Sequence, residues 1–256
     1  MTVHFIGVGP GAADLITMRG FNLLQRCAMV LYAGSLIPVE ILSAAPADAS
    51  CVNTARLTLD EIISMMATAH AEGKDIARLH SGDSSLYGAI AEQMRRLTTL
   101  TIPYTVTPGV PAFAAAAAAL ATALTVPGIS QTVILTRTAV RTEPMPPGEE
   151  LANLGRSQAT LVIHLSINNL ASVVNDLMPL YGVDCPVAVV YRVSWPDQRI
   201  LSGTLSNIRD QVKEAGFLQT ALIIVGRTLK ACNFRESRLY ASDYSHSQRP
   251  RQATGY

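Results

Sequence analysis

The sequence predicts two α/β domains with mainly parallel or mixed sheets, and three observations support this prediction. Short apolar segments alternate with helical segments along nearly the whole chain. Several apolar segments end in glycine-containing loops, which is typical of the carboxyl ends of buried parallel strands. The 256 residues are 49% hydrophobic and 15% charged, which excludes a disordered chain and suffices for a large core.

Four strands and three helices are expected in the first half of the chain. Short apolar runs that end at turn residues predict strands at residues 3–8, 29–32, 76–80 and 104–107. The segments between them predict helices at residues 17–27, 59–71 and 86–97. In the second of these helices, Ile62, Ile63 and Met66 follow the three-to-four spacing of a buried face.

The second half shows the same alternation after a Pro- and Gly-containing break at residues 107–111. An Ala-rich helix is expected at 112–124. Strands are predicted at residues 131–136, 161–165, 187–193 and 222–225, and helices at 170–180 and 208–215. We therefore expect an N-terminal domain over residues 1–110, a C-terminal domain over 111–241 and a flexible tail over 242–256.

Composition disfavours several classes of protein. The net charge is only +1, so binding to nucleic acid is not expected. The four cysteines form no C-x-x-C pair, which disfavours a structural zinc site and indicates reduced thiols in the cytoplasm. The Ala-rich run ends at Pro127 before it reaches the length of a membrane span, and the N-terminus lacks the pattern of a signal peptide.

The first motif is Gly-Val-Gly-Pro-Gly at residues 7–11, directly after the first strand. Glycines allow a sharp turn and a close approach of backbone to a ligand. A dinucleotide site would also need an acid near residues 32–35, which read Tyr-Ala-Gly-Ser, and Pro10 lacks an amide hydrogen that could bind phosphate. The open alternatives are a ligand-binding loop of another kind and a purely structural turn.

Two further loops of this kind follow at residues 80–88 and 107–109. Asp83 in the first of them could simply cap the next helix. Because the carboxyl ends of parallel strands lie at one edge of a sheet, we expect all three loops to converge on one binding crevice. Among the histidines only His80, at a strand end, is a candidate for this site, and no nucleophile motif is present. The pattern favours a reaction in which positioning supplies most of the acceleration.

These loops resemble those of the tetrapyrrole methylase family. The resemblance rests on Val-Gly-Pro-Gly at residues 8–11, Asp-Leu-Ile-Thr at 14–17, Ser-Gly-Asp-Ser at 81–84 and Pro-Gly-Val-Pro-Ala at 108–112. It implies two α/β domains, a homodimer, S-adenosylmethionine in the cleft between the domains and a cytoplasmic role in making the corrin ring of vitamin B12. The phrases at 130–137, 141–146 and 191–197 are similar to those of members that methylate C11 of precorrin-4.

The family motifs also imply individual site residues. The positions that match cofactor contacts are Pro10, Ser81, Gly82, Asp83, Leu86, Pro111, Ala112, Leu165, Val193, Thr220, Ala221 and Leu222. Two positions depart from the family pattern, since Ser84 replaces a proline and Pro111 replaces a serine or threonine. No metal site and no general base are assigned.

The implied substrate, precorrin-4, is a large anionic tetrapyrrole, and arginine is suited to hold its carboxylates. The arginines at predicted cleft loops are Arg56, Arg137, Arg141, Arg192 and Arg199, of which we assign Arg137, Arg141 and Arg192 to substrate binding. Each could instead be a solvated surface charge. The alternatives for function are methylation of cobalt-precorrin-4, a nucleotide-binding oxidoreductase and a tetrapyrrole carrier without enzymatic activity.

Overall fold

The computed structural model describes residues 1–139, 144–237, 241, 244–245 and 247. By contacts between residues the chain forms two compact units, each assembled from separate stretches of sequence. The first unit contains Met1–Ala121, Val190–Ile200 and Phe217–Leu222; the second contains Thr122–Val189, Leu201–Gly216 and the described residues from Ile223 onward. The division into domains 1–110 and 111–241 stays a prediction, and most of the predicted tail at 242–256 lies outside the described residues.

The first sheet lies in the first unit and is entirely parallel. Its strands are β1 (Val3–Gly7), β2 (Met29–Tyr32), β3 (Ser50–Asn53), β4 (Ile76–His80) and β5 (Tyr104–Thr107). They are ordered β3-β2-β4-β1-β5, so β4 is the central strand and pairs with both β1 and β2. Because the strands are parallel, the loops that follow them lie along one edge of the sheet.

Helices and apolar side chains cover both faces of this sheet. The helices of the first unit are α1 (Met18–Leu24), α2 (Val39–Leu42), α3 (Leu59–Ala71), α4 (Ile90–Thr99) and α5 (Ala112–Ala119). One buried cluster includes Phe5 with Met66 of α3 and Leu97 of α4. The other includes Ile6 with Leu24 of α1. Alternation of side chains along each strand supplies both clusters.

The second sheet also has five strands but is mixed. Its strands are β6 (Val133–Arg137), β7 (Thr160–His164), β8 (Pro186–Tyr191), β9 (Arg199–Thr204) and β10 (Ala221–Val225). They are ordered β6-β7-β10-β8-β9; β6 is parallel to β7, whereas β10 is antiparallel to β7. The remaining helices are α6 (Leu151–Leu154), α7 (Leu170–Tyr181) and α8 (Ile208–Ala215). The predicted fold class, α/β with parallel and mixed sheets, is thereby confirmed.

Three expectations about individual elements were wrong. The helix predicted at 86–97 begins only at Ile90, because Tyr87 and Ala89 have left-handed backbones with φ of 57° and 51°. The Ala-rich helix predicted at 112–124 ends at Ala119, and the chain turns at Ala121 with φ 49°. The helix predicted at 17–27 is the shorter α1, whose first turn is capped by the Thr17 hydroxyl.

Strands β3 and β9 were not predicted, because both are edge strands without a long apolar run; β3 is largely exposed and β9 only partly buried. By contrast, β2, β4, β5, α3 and α8 have the predicted bounds. None of the helices in the described part of the chain is long and apolar enough to cross a bilayer.

Candidate functional site

Three loops meet at the carboxyl edge of the first sheet. They follow β1, β4 and β5 and comprise residues 8–11, 81–85 and 108–111. The Gly82 amide donates to the Gly9 carbonyl at 2.7 Å, and the Gly9 amide donates to the Gly82 carbonyl at 3.2 Å. The first two loops are therefore held together by their own backbones, and their expected convergence is observed.

The third loop comes so close that no side chain fits between the backbones. A Cβ atom on Gly7 would lie 2.6 Å from the Gly109 nitrogen and 2.7 Å from the Gly82 oxygen. A Cβ atom on Gly109 would overlap the same Gly82 oxygen. Real Cβ atoms do not approach other atoms this closely, so the junction needs glycine at both positions.

Asp83 fastens this junction with its carboxylate. Its Oδ2 accepts a hydrogen bond from the Gly109 amide at 2.9 Å. Its Oδ1 accepts from the Ser85 amide at 2.9 Å and from the Ser85 hydroxyl. Partial burial raises the pKa of Asp83, but the hydrogen bonds from Ser85 and Gly109 outweigh it, and the pKa lies below its usual value. Asp83 is thus an ionised link between the second and third loops.

A cavity of about 870 Å³ opens beside the first loop, within the first unit. One wall is formed by Gly11, Ala12 and Ala13, another by residues 34–40 and a third by the segment Arg192–Asp197. The Trp195 indole donates to the Pro10 carbonyl at 3.0 Å, and the Ala12 amide donates to Ser194 Oγ at 2.9 Å. These bonds join the 192–197 segment to the glycine loop, so residues distant in sequence share one wall.

Arg192 lies in this cavity wall with its side chain held in place. Its Nε donates to Asp197 Oδ1 at 2.7 Å, and its guanidinium lies 4.0 Å from the centre of the Trp195 ring. The Arg192 amide donates to the Thr220 carbonyl at 2.9 Å. Arg192 is therefore a fixed residue of this cavity wall, with its charge paired to Asp197, and its assignment to substrate binding stays a prediction.

Left-handed backbone at residues other than glycine recurs around this wall. Arg192, Ser194 and Thr220 have φ of 44°, 64° and 52°. Each such residue costs free energy, and sites of this kind concentrate where a fold holds a functional geometry. Leu165, another expected cofactor contact, has φ of 54° in the second unit.

The other predicted residues divide between the two units. Pro111 caps α5 and Ala112 begins it, next to Gly82. Val193, Ala221 and Leu222 also belong to the first unit, where Val193 and Leu222 are buried. Ser81 and Leu86 line a second, smaller cavity of about 320 Å³.

Three predicted residues lie outside the described part of the first unit, and their roles stay predictions. Leu165 is exposed in the second unit. Arg137 ends β6 in the second unit and lines a separate cavity of about 510 Å³. Arg141 lies outside the described residues.

The histidines His80 and His164 offer little acid–base chemistry. Burial lowers the pKa of His80 to about 3, with a further contribution from the Arg78 charge. Burial likewise lowers the pKa of His164 to about 4. Both imidazoles are neutral at physiological pH and weak as bases. The geometry supports binding and alignment of ligands rather than proton transfer by these groups.

Trp195 and Ser194 are site residues that the sequence did not assign a role. The segment 191–197 was singled out only for its resemblance to family members, and neither hydrogen bond to the glycine loop was foreseen. The one signal available was that Trp195 is the only tryptophan of the chain, placed directly after a predicted strand. Indole N–H groups usually find an acceptor when they are partly buried.

Comparison with known proteins identifies the family. The family described as tetrapyrrole (corrin/porphyrin) methylases matches residues 2–209. A protein from Sinorhizobium sp named precorrin-4 C(11)-methyltransferase is 53% identical over 251 residues, which cover 98% of this chain and 99% of that protein. A cobalt-precorrin-4 C(11)-methyltransferase from Methanocaldococcus jannaschii is 42% identical over 96% of this chain and 95% of its own length.

A solved structure agrees with these sequences. The X-ray structure of a cobalt precorrin-4 methyltransferase is 37% identical, with a TM-score of 0.87 over 90% of this chain and 96% of that chain. The sequence resemblance to the family is thereby confirmed over most of the length. This chain belongs to the tetrapyrrole methylase family.

Proposed function

We propose that this chain transfers a methyl group from S-adenosylmethionine to C11 of precorrin-4. The observation that carries the proposal is the identity of 53% over 98% of the chain with a protein of that name. The three-loop junction, predicted from spaced motifs and present in the structure, provides the independent geometric support.

The residues at the junction fit this cofactor. Gly82 is buried with φ of +65°, a left-handed conformation that favours glycine, and it lies beside the Ala112 nitrogen at the start of α5. No side chain caps α5, and the buried Ser84 Oγ has no hydrogen-bond partner among the described residues. Backbone amides and an orphan hydroxyl are suitable partners for the carboxylate and ammonium of an amino acid. The loop of Ser81, Gly82 and Asp83 would therefore line the methionine end, and the uncapped start of α5 at Ala112 would offer it backbone amides.

When bound, S-adenosylmethionine supplies an electrophilic methyl group on a sulfonium sulfur. The chain orients the bound cofactor. The loop backbones, linked through Asp83, form a rigid binding surface, and Trp195 bounds the space beside it. Water exclusion and alignment of two reactants can provide a large share of a rate enhancement without an acid or base. The neutral, buried His80 agrees with such a mechanism.

Arginines are proposed to hold the substrate carboxylates. Arg192 is the best supported of them, because its fixed guanidinium lines the cavity beside the glycine loop. Arg137 and Arg141 remain proposals that rest on the family resemblance. We further propose a cytoplasmic homodimer that does not bind nucleic acid. Reduced cysteines and a net charge of +1 support the location and the lack of a nucleic-acid partner.

Methylation of cobalt-precorrin-4 is the second candidate, because relatives of that name are 42% and 37% identical. The lower identity favours the metal-free substrate. The decisive experiment incubates the protein with methyl-labelled S-adenosylmethionine and either precorrin-4 or its cobalt form. Mass spectrometry and NMR should find one labelled methyl group at C11 of the metal-free product. Faster labelling of the cobalt form would identify cobalt-precorrin-4 as the substrate. Labelling of neither compound would refute the proposed methyltransferase activity.

A further inference from the structure

Arg78 occupies an unusual position in the middle of the central strand β4. Its backbone partners are Phe5 of β1 and Leu31 of β2. Arg78 is 6% exposed, whereas its neighbours in the strand, Ala77 and Leu79, are apolar as expected for a buried parallel strand. A cation at this place requires a specific reason.

The neighbours of Arg78 do not neutralise its charge. Its Nε donates to the Gln93 Oε1 atom at 3.2 Å, and its Nη1 donates to the Thr54 hydroxyl at 2.9 Å. Both partners are neutral, and no ion pair between described residues includes Arg78. Burial lowers the pKa of Arg78 to about 10, so it still carries its charge at neutral pH. A buried charge without a counter-ion is costly, which favours an anion from outside the chain.

Arg78 lines the cavity of about 320 Å³ at the carboxyl end of β4. His80 lines it too, and its Nε2 is buried without a hydrogen-bond partner among the described residues. The rest of the wall includes the apolar Leu36, Leu59 and Ile62 together with Ser81 and Leu86, two of the predicted cofactor contacts. Glu92 also borders the cavity, but it forms no ion pair with the guanidinium. The cavity thus combines an uncompensated cation, an unpaired imidazole nitrogen and an apolar wall.

We propose that this cavity binds one carboxylate-bearing side chain of the tetrapyrrole, with the carboxylate at Arg78. This inference rests on the proposed function and deepens it. A short aliphatic acid matches both parts of the site, since its methylene groups can pack on the leucines while its carboxylate pairs with the guanidinium. A bare inorganic anion would leave the apolar wall without a partner.

The test is titration of the full chain with uroporphyrin III, a stable polycarboxylate tetrapyrrole, at fixed ionic strength. Arg78→Met should weaken binding by about tenfold to a hundredfold, the usual loss for one charge-assisted contact. The same variant should leave the affinity for S-adenosylhomocysteine unchanged and should not lower the melting temperature, because a buried unpaired charge is removed. Arg95→Met, at an exposed arginine on α4, is the matched control and should behave as wild type.

A second variant covers the case in which Arg78→Met does not fold. Arg78→Lys keeps the charge but loses the planar fork, and it should bind uroporphyrin about tenfold more weakly than wild type. Wild-type affinity for uroporphyrin in the variant that folds overturns the inference, as does Arg78-dependent binding of inorganic phosphate alone. Wild-type protein that binds neither uroporphyrin nor S-adenosylhomocysteine refutes the proposed function itself, which distinguishes the two failures.

Discussion

Single atoms decide whether the three loops can meet. At Gly109 the conflict is one of contact, because a Cβ atom there would overlap the Gly82 oxygen. At Gly128 a Cβ atom would meet nothing within 4 Å, and the only obstacle is its φ of +78°. Glycine is thus required at position 109 by the close approach of another backbone, and it is favoured at position 128 by the backbone conformation alone.

Gly109→Ala should lower the free energy of unfolding by about 2–3 kcal/mol, the upper part of the roughly 1–3 kcal/mol that overpacking typically costs. Gly128→Ala should cost about 1 kcal/mol, the penalty of a left-handed backbone at alanine. Urea unfolding measures both values. Only Gly109→Ala should also lose affinity for S-adenosylhomocysteine. Equal effects on stability and binding would show that the junction tolerates a methyl group.

Asp83 predicts a specific dependence on pH. Because its pKa is lowered in the folded state, its ionised form contributes stability above the pKa of the unfolded chain, about 3.9. That contribution is lost as the pH falls through the folded pKa. Asp83→Asn should therefore destabilise the protein at pH 7 and lose less stability than wild type on acidification below about pH 4. The effect should be modest, since Asp83 is only partly buried and water screens it.

Urea unfolding of both proteins from pH 7 to pH 3 tests this expectation. Asp210→Asn, an equal change of charge at an exposed carboxylate on α8, is the matched control. Parallel curves for wild type and Asp83→Asn would contradict the link between the second and third loops.

At the scale of residues, the sequence predicted the loops better than the contacts within them. Glycines after apolar strands were sufficient to locate the junction. The use of Asp83 as a link to Gly109 was not foreseen, because a helix cap and a ligand contact explain the same sequence equally well. The bond from Trp195 to Pro10 joins residues far apart in the chain, and no local pattern encodes such a partner.

At the scale of elements, periodicity located the buried strands and helices but not where irregular backbone interrupts them. Apolar runs in β2 and β4 and the spaced apolar face of α3 gave the observed bounds. The ends of α4 and α5 are set by left-handed residues of ordinary helix-forming type. Alanine in particular favours helix, so its sequence alone cannot mark the end at Ala119.

An alanine-to-glycine substitution should have opposite effects on stability just after the end of α5 and inside it. Ala121 follows the C-cap Leu120 with φ of 49°, a position where glycine is preferred. Ala121→Gly should raise the free energy of unfolding by up to about 1 kcal/mol. Ala118→Gly, at an exposed site inside α5, should lower it by about 1 kcal/mol. Thermal and urea unfolding give both signs, and a loss of stability at both positions would contradict the left-handed helix end.

At the scale of the whole molecule, ligand binding should be visible in stability. S-adenosylhomocysteine at about 100 times its dissociation constant should add roughly 2.7 kcal/mol to the free energy of unfolding. NAD at the same concentration should have no effect, since no acid follows β2 where a ribose hydroxyl would be held. Calorimetric scans measure both. A shift with NAD alone would favour the oxidoreductase alternative.

The two compact units are the part of the molecule least accessible to sequence reasoning. The first unit takes in residues 190–200 and 217–222 in addition to the N-terminal stretch. Composition and hydropathy are read along the chain, and so they can only divide it into consecutive domains. The segment 192–197 packs against the glycine loop through long-range hydrogen bonds, which composition and hydropathy do not predict.

The close meeting of Gly7, Gly82 and Gly109 also limits how this sequence can evolve. A side chain at Gly7 or at Gly109 would overlap the same atom, the carbonyl oxygen of Gly82. Once one of them has pushed the backbones apart, a second replacement costs little more, so the penalties do not add. No compensating substitution at the other two glycines can restore the lost stability, because no residue is smaller than glycine. We therefore expect these loops to function in another enzyme only if all three are transplanted as a set.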